Sequence, residues 1–268
     1  MDREPVVAGK FYTADKESLI KEVKEYLSLT TPLEKPSLVA MAPHAGYMYS
    51  GKIAGMTLNR ANLLDIVILI GPNHTGYGRP ISVWDKGKWL FPGGSLEVQS
   101  DLAKAIIDSG SMFEKNYDAH LYEHSLEVML PFLWVINPDI KIVPICVAEH
   151  DLNVLVQAGK VLTEVIKSWN KPISVVVSSD MSHFISHEEA KKKDKLAIDA
   201  ICEIDPEKLY NTVKKYDISM CGVMPMTIAL SYAKEVGAKN SELVAYSTSG
   251  EVSGDYSYVV GYAGVVIY

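Results

Sequence analysis

Short β-branched runs alternate along this chain with longer stretches of helical periodicity. A chain that returns repeatedly from helix to strand buries both by laying crossover helices over a largely parallel sheet. The runs Ser37–Ala42, Asp65–Ile70, Lys141–Val147 and Ile173–Ser178 are almost unbroken in apolar residues, the pattern of strands covered on both faces. Two later runs, Leu243–Ser247 and Tyr256–Tyr268, complete the expected sheet. Helical patterns fill the intervals at Lys16–Leu29, Gly51–Leu64, Asp101–Ser109, Ser125–Val135, Leu152–Ser168, Glu188–Glu203, Pro206–Lys215 and Met224–Val236. Lys86-Gly87-Lys88-Trp89 reads as the turn of an antiparallel hairpin joining Ile81–Asp85 to Trp89–Phe91. The expected fold is therefore α/β, with a central, mostly parallel mixed sheet flanked by helices. No linker, repeat or low-complexity tract interrupts the 268 residues, so a single domain over 1–268 is expected.

Charge narrows the partners. Lys and Arg number 26 against 33 Asp and Glu, a net charge of -7 that repels a phosphate backbone and argues against nucleic-acid binding. The basic run Lys191-Lys192-Lys193-Asp194-Lys195 lies in a helical pattern and reads as a solvated face. Cys146, Cys202 and Cys221 are odd in number and scattered, with no disulfide framework or zinc-finger spacing. Reduced thiols, no apolar leader after Met1-Asp2-Arg3-Glu4-Pro5 and no apolar run long enough to span a bilayer point to a cytoplasmic protein outside the membrane.

In open α/β sheets the ligand crevice lies beyond the carboxyl ends of the strands. Three expected strands deliver a histidine there: Ala42-Pro43-His44-Ala45-Gly46-Tyr47, Gly71-Pro72-Asn73-His74-Thr75-Gly76 and Ser178-Ser179-Asp180-Met181-Ser182-His183. Pro43 and Pro72 restrict the backbone ahead of His44 and His74, and the glycines that follow allow close approach to an ion or ligand. Two imidazoles leave a metal short of a ligand and of negative charge, which Cys221 or Asp180 would supply. Cys221 stands at an expected helix start, where the dipole favours a thiolate, whereas Cys146 and Cys202 read as buried packing residues. His124 and Glu127 either cap a helix start, pair with each other or face the cleft. Tyr47 and Tyr49 either line the cleft or pack half-buried. His187-Glu188-Glu189 lacks the second histidine of a zinc-protease motif, and Ala8-Gly9-Lys10 lacks the upstream glycine of a phosphate loop.

The segments Ala42–Tyr47, Gly71–His74, Glu123-His124-Ser125-Leu126-Glu127, Ser178–His183, Cys221-Gly222 and the late Ala263-Gly264 together resemble the Memo family over essentially the whole chain. That resemblance implies a fold similar to class III extradiol dioxygenases, with the metal site at one edge of the sheet. It makes His44, His74 and Cys221 the metal-binding trio and His124 a cleft residue; of the two tyrosines, Tyr47 is taken as the one that joins His124 in the binding cleft. His183 matches the dioxygenases' catalytic histidine, with Asp180 next to it to orient its ring. The dioxygenases use a glutamate where this chain has Cys221, and the softer sulfur shifts the preference toward copper(I) or zinc while leaving iron in place.

Three functions follow as expectations. The first is a non-heme metal-dependent redox enzyme resembling the dioxygenases, using iron or copper, with His183 as general base toward a small molecule such as a catechol. The second is a non-catalytic module that binds a peptide or protein in the same cleft; animal members of the family are described as adaptors for phosphotyrosine-containing receptor segments. The third is a zinc hydrolase, with Glu251 or Asp255 reaching in from the last loop.

Overall fold

The structure is a computed structural model that describes residues 1–110 and 112–268. Its strands are β1 (Val39–Ala42), β2 (Ile66–Pro72), β3 (Ile81–Val83), β4 (Lys88–Phe91), β5 (Gly94–Val98), β6 (Glu114–Lys115), β7 (Lys141–Val147), β8 (Ser174–Ser178), β9 (His183–Ile185), β10 (Ser241–Thr248) and β11 (Val259–Ile267). Its helices are α1 (Lys16–Leu27), α2 (Tyr47–Arg60), α3 (Ser100–Asp108), α4 (Asp118–Leu121), α5 (Leu130–Ile136), α6 (Leu152–Ser168), α7 (His187–Cys202), α8 (Pro206–Lys215), α9 (Val223–Glu235) and α10 (Gly250–Ser253).

The main sheet runs β10-β11-β1-β8-β2-β7-β3-β6. Its centre, β1-β8-β2-β7, is parallel, while β11 joins β1 and β3 joins β7 antiparallel. Every residue of β1, β2 and β8 is buried, because helices cover both faces. The glycines of β11 show how closely they do so. Residues 261 and 264 point to opposite faces; a Cβ on Gly264 would meet Thr57 and Ile53 of α2, and one on Gly261 would meet Asp194 of α7. One apolar core joins the sheet to its helices, from Leu19 of α1 to Val266 of β11.

Three local readings of the sequence change in the structure. The hairpin is formed by β4 with β5, Phe91 facing Gly94, while β3 pairs with β7. The reversal falls at Pro92-Gly93, with Gly93 at φ +93, a conformation glycine adopts freely. The helix expected over Ser125–Val135 is a 3₁₀ turn at Glu127–Met129 followed by α5. Pro131 explains this: inside a continuous helix its ring would strike the carbonyl of residue 127, but at the first turn it is accommodated. Strand β9 was not expected at all; it pairs with β11 through Ile185 and His183 and holds Phe184 at φ +61. Among the described residues no helix is long and apolar enough to cross a membrane.

Candidate metal centre

His44, His74 and the Asp180–His183 segment follow β1, β2 and β8, which are neighbours in the sheet and end at the same edge. The parallel register puts Ala42 opposite Ser178 and Ile70 opposite Val177, so the three loops open into one cleft. Cys221 arrives from the far side, immediately before Gly222 and α9. A Cβ on Gly222 would lie 2.5 Å from Ser179 Oγ and 2.8 Å from the Ser178 carbonyl. Only glycine lets the cysteine loop come this close to β8.

The sulfur of Cys221 lies 3.3 Å from His44 Nε2. The ligand atoms of His44, His74 and Cys221 all fall within 4.8 Å of one another, close enough to share one ion. His44 is buried and forms the floor, Cys221 is half-buried and His74 opens to solvent. The His44 and His74 rings stand edge to face with centroids 5.2 Å apart, and the His124 ring stacks on His74 at 4.8 Å.

Each imidazole is held through Nδ1. Ser178 Oγ donates its single proton to the Ser125 carbonyl at 2.6 Å, so toward His44 Nδ1, 2.7 Å away, it can only accept. Nδ1 of His44 therefore carries the hydrogen, and Nε2 presents a lone pair to the cleft. His74 donates its backbone N–H to Glu123 Oε2 at 2.5 Å and its Nδ1–H to Oε1 at 2.8 Å. His183 Nδ1 donates to the Ser219 carbonyl at 2.9 Å. Outer hydrogen bonds of this kind orient metal-bound histidines and raise their basicity.

The charges explain what the cleft lacks. Burial, reinforced by the nearby His124 and His74, holds the His44 imidazolium well below its usual range. Burial acts on His74 in the same direction, but the Glu123 carboxylate outweighs it and raises that imidazole. Burial alone would raise Glu123; its hydrogen bond to His74 instead brings it down to about 2. Burial, and then the charge of Asp180, push the Cys221 thiol well above its ordinary value. At the start of α9, burial and a neighbouring acid thus work against the dipole that favours a thiolate. Burial likewise raises Asp180. A sulfur and a carboxyl whose charged forms burial disfavours stand beside the two ring nitrogens, so a bound cation would favour their ionised forms, and the donor set of two nitrogens and one sulfur fits copper, zinc or iron.

The other residues singled out in the sequence divide. Asp180 is buried at the site, but its Oδ1 accepts the backbone N–H of His44 at 2.8 Å while Oδ2 lies 3.9 Å from His44 Nε2. It thus braces the His44 loop, and Ser219 rather than Asp180 orients His183. His124 joins the cluster, its ring 5.5 Å from His44. Glu127 does not pair with it, being turned to a buried ion pair with Arg3 at 2.6 Å. Tyr47 is turned away from the imidazoles: it is buried, its hydroxyl donates to the Val128 carbonyl at 2.7 Å and its ring packs on Phe132. Asp255 is exposed and caps Ser257, and Glu251 is exposed on α10. Glu123, Ser125, Ser178 and Ser219 do site work that sequence reading did not assign. The signal for Glu123 was an acidic residue directly beside His124 in a segment already singled out.

A family model described as Memo-like protein matches residues 3–266. A MEMO1 family protein of Aquifex aeolicus is 43% identical over 267 residues, covering 98% of both chains. One from Methanococcoides burtonii is 39% identical over 266 residues, covering 99% of both. Among solved structures, an uncharacterized Escherichia coli K12 protein aligns with a TM-score of 0.49 at 11% identity, over 74% of this chain and 85% of its own, a likeness too slight to carry an argument.

Proposed function

The chain belongs to the Memo family, and from that premise we propose that it is a metal-dependent redox protein whose His44, His74 and Cys221 hold iron or copper, with zinc as the further possibility. The reading rests on one observation: the sulfur of Cys221 stands 3.3 Å from the free nitrogen of His44, with the ligand atoms of His74 in the same group. Iron or copper held there would supply electron transfer and open coordination positions. The protein supplies the rest. Ser178 and Glu123 hold the two rings with their lone pairs inward. His183, whose Nδ1–H is engaged by Ser219, offers Nε2 as the base for a substrate hydroxyl. Asp180 keeps the His44 loop in place. The substrate on this reading is a small hydroxylated molecule, and the free cysteines suit the reducing cytoplasm.

Elemental analysis of protein purified without added metal, repeated on Cys221→Ser, tests the site; iron or copper in the first and loss in the second is the expected result. Oxygen uptake with a panel of catechols after anaerobic loading with iron(II) tests the activity. Uptake no greater than that of His183→Ala would remove the enzymatic reading.

One observation favours a second reading, a module that docks a peptide. Tyr77, Tyr122 and Phe184, close in sequence to His74, His124 and His183, are exposed, as is Tyr258, whose ring stacks on Phe184, and aromatic side chains are frequent anchors in recognition. A partner recovered equally by wild type and by the His44→Ala/His74→Ala double variant would favour it.

A further inference from the structure

Residues 122–126 carry the outer support of both metal-facing imidazoles, yet they lie between α4 and the 3₁₀ turn with no strand or helix of their own. Glu123 holds His74 directly. The Ser125 carbonyl holds Ser178, which holds His44. His44 and His74 follow buried strands, but the segment that orients them does not.

Arg3 supplies the missing brace. Its backbone pairs with β4, donating to the Lys88 carbonyl at 2.8 Å and accepting from Leu90 N–H at 2.9 Å. Its guanidinium is fully buried over Trp89, 4.7 Å from the ring centroid. From there Nη2 donates to the Glu123 carbonyl at 2.5 Å, Nε to the His120 carbonyl at 3.0 Å and Nη1 to Glu127 Oε2 at 2.6 Å. The rigid fork of a guanidinium is what allows one side chain to grip both sides of this segment. Glu127 is itself tied down by the N–H groups of Val6 and Val7 and by the Tyr12 hydroxyl.

We propose that Arg3 is a positioning residue for the metal centre, setting the orientation of His74 and His44 through the 122–126 segment without touching either ring. The inference rests on the metal-binding reading above, and Tyr12 provides the control that separates positioning from folding. Arg3→Lys keeps the charge beside Glu127 but loses the fork that reaches the Glu123 and His120 carbonyls. Tyr12→Phe also removes a buried hydrogen bond to Glu127, 2.7 Å long, but leaves the grip on Glu123 intact.

The measurements are cobalt(II) affinity by chelator competition and the cobalt d–d absorption bands of each protein. Arg3→Lys should bind cobalt about ten- to a hundredfold more weakly, the usual cost of disturbing the outer support of metal ligands, with altered bands. Tyr12→Phe should match wild type in both. Equal affinity in Arg3→Lys and wild type, or equal weakening in both variants, overturns the proposal. Wild type that takes up no cobalt overturns the metal reading along with it. A measurement on wild type alone covers an Arg3→Lys chain that fails to fold: because coupling is reciprocal, zinc should slow amide hydrogen exchange in residues 3–7 as well as 120–127. Unchanged exchange in residues 3–7 overturns the proposal.

Discussion

Glu123 accepts both the backbone N–H and the ring Nδ1–H of His74, one on each carboxylate oxygen. A single buried carboxylate thus sets both the position of the loop and the tautomer of the ring, leaving Nε2 of a neutral His74 as the nitrogen able to bind a metal. Glu123→Gln retains one acceptor oxygen and loses the charge. Zinc affinity measured by chelator competition should fall about ten- to a hundredfold, and an unchanged affinity would show that His74 needs no such support.

Ser178 plays the corresponding part for His44, with the added constraint that its own proton is committed to Ser125. Ser178→Ala leaves the buried Nδ1–H of His44 without its acceptor, at a cost of about 1–3 kcal/mol. Chemical denaturation should register that loss. In nitrogen-detected NMR spectra of the metal-free protein, His44 should lose its single tautomer.

Gly222 tests whether the close approach of the cysteine loop matters. Its φ of -93 is open to any residue, so Gly222→Ala acts through crowding against Ser179 and the Ser178 carbonyl. The variant should lose about 1–3 kcal/mol of stability. It should also lose metal affinity, as Cys221 is pushed from His44; retained affinity at reduced stability would limit the glycine to packing.

His120 predicts a pH dependence away from the proposed metal ligands. It is fully buried beside Trp84 and Trp89, donates Nε2–H to the Ser82 carbonyl at 3.1 Å, and its Nδ1 has no hydrogen-bond partner among the described residues. Burial lowers its pKa from 6.5 to about 3. As pH falls below 6.5 the unfolded chain therefore takes up the proton first, so stability present above that value is lost on the way down toward about 3. The slope is about 1.4 kcal/mol per pH unit, or about 2 kcal/mol between pH 6.5 and 5. Urea unfolding of wild type and His120→Gln, whose amide still reaches Ser82, should differ by that slope; parallel pH profiles would refute it.

The elements that could be read ahead of the structure are those that local pattern controls. The unbroken apolar runs at β1, β2, β7 and β8 announced buried parallel strands, because covering both faces leaves no polar positions. The rule that crevices form beyond carboxyl ends then brought His44, His74 and Asp180 to one edge before any contact was known. Where pattern was thin, pairing was misread. The hairpin partner of β4 depended on which of two glycine turns reversed the chain, and β9 is too short to leave a periodic signal.

What the sequence by itself determined is which loops follow buried strands and the chemistry they bring, since the position of a strand along the chain and the residue type after it are both written locally. Only the tertiary structure decided how that chemistry is used. Tyr47 turned to the core because its hydroxyl found the Val128 carbonyl there. Burial holds the Cys221 thiol well above its ordinary value despite the helix start. His44 and His74 acquired their tautomers from Ser178 and Glu123. Hydrogen bonds between residues 49 and 134 positions apart depend on packing, and no periodicity along the chain encodes them.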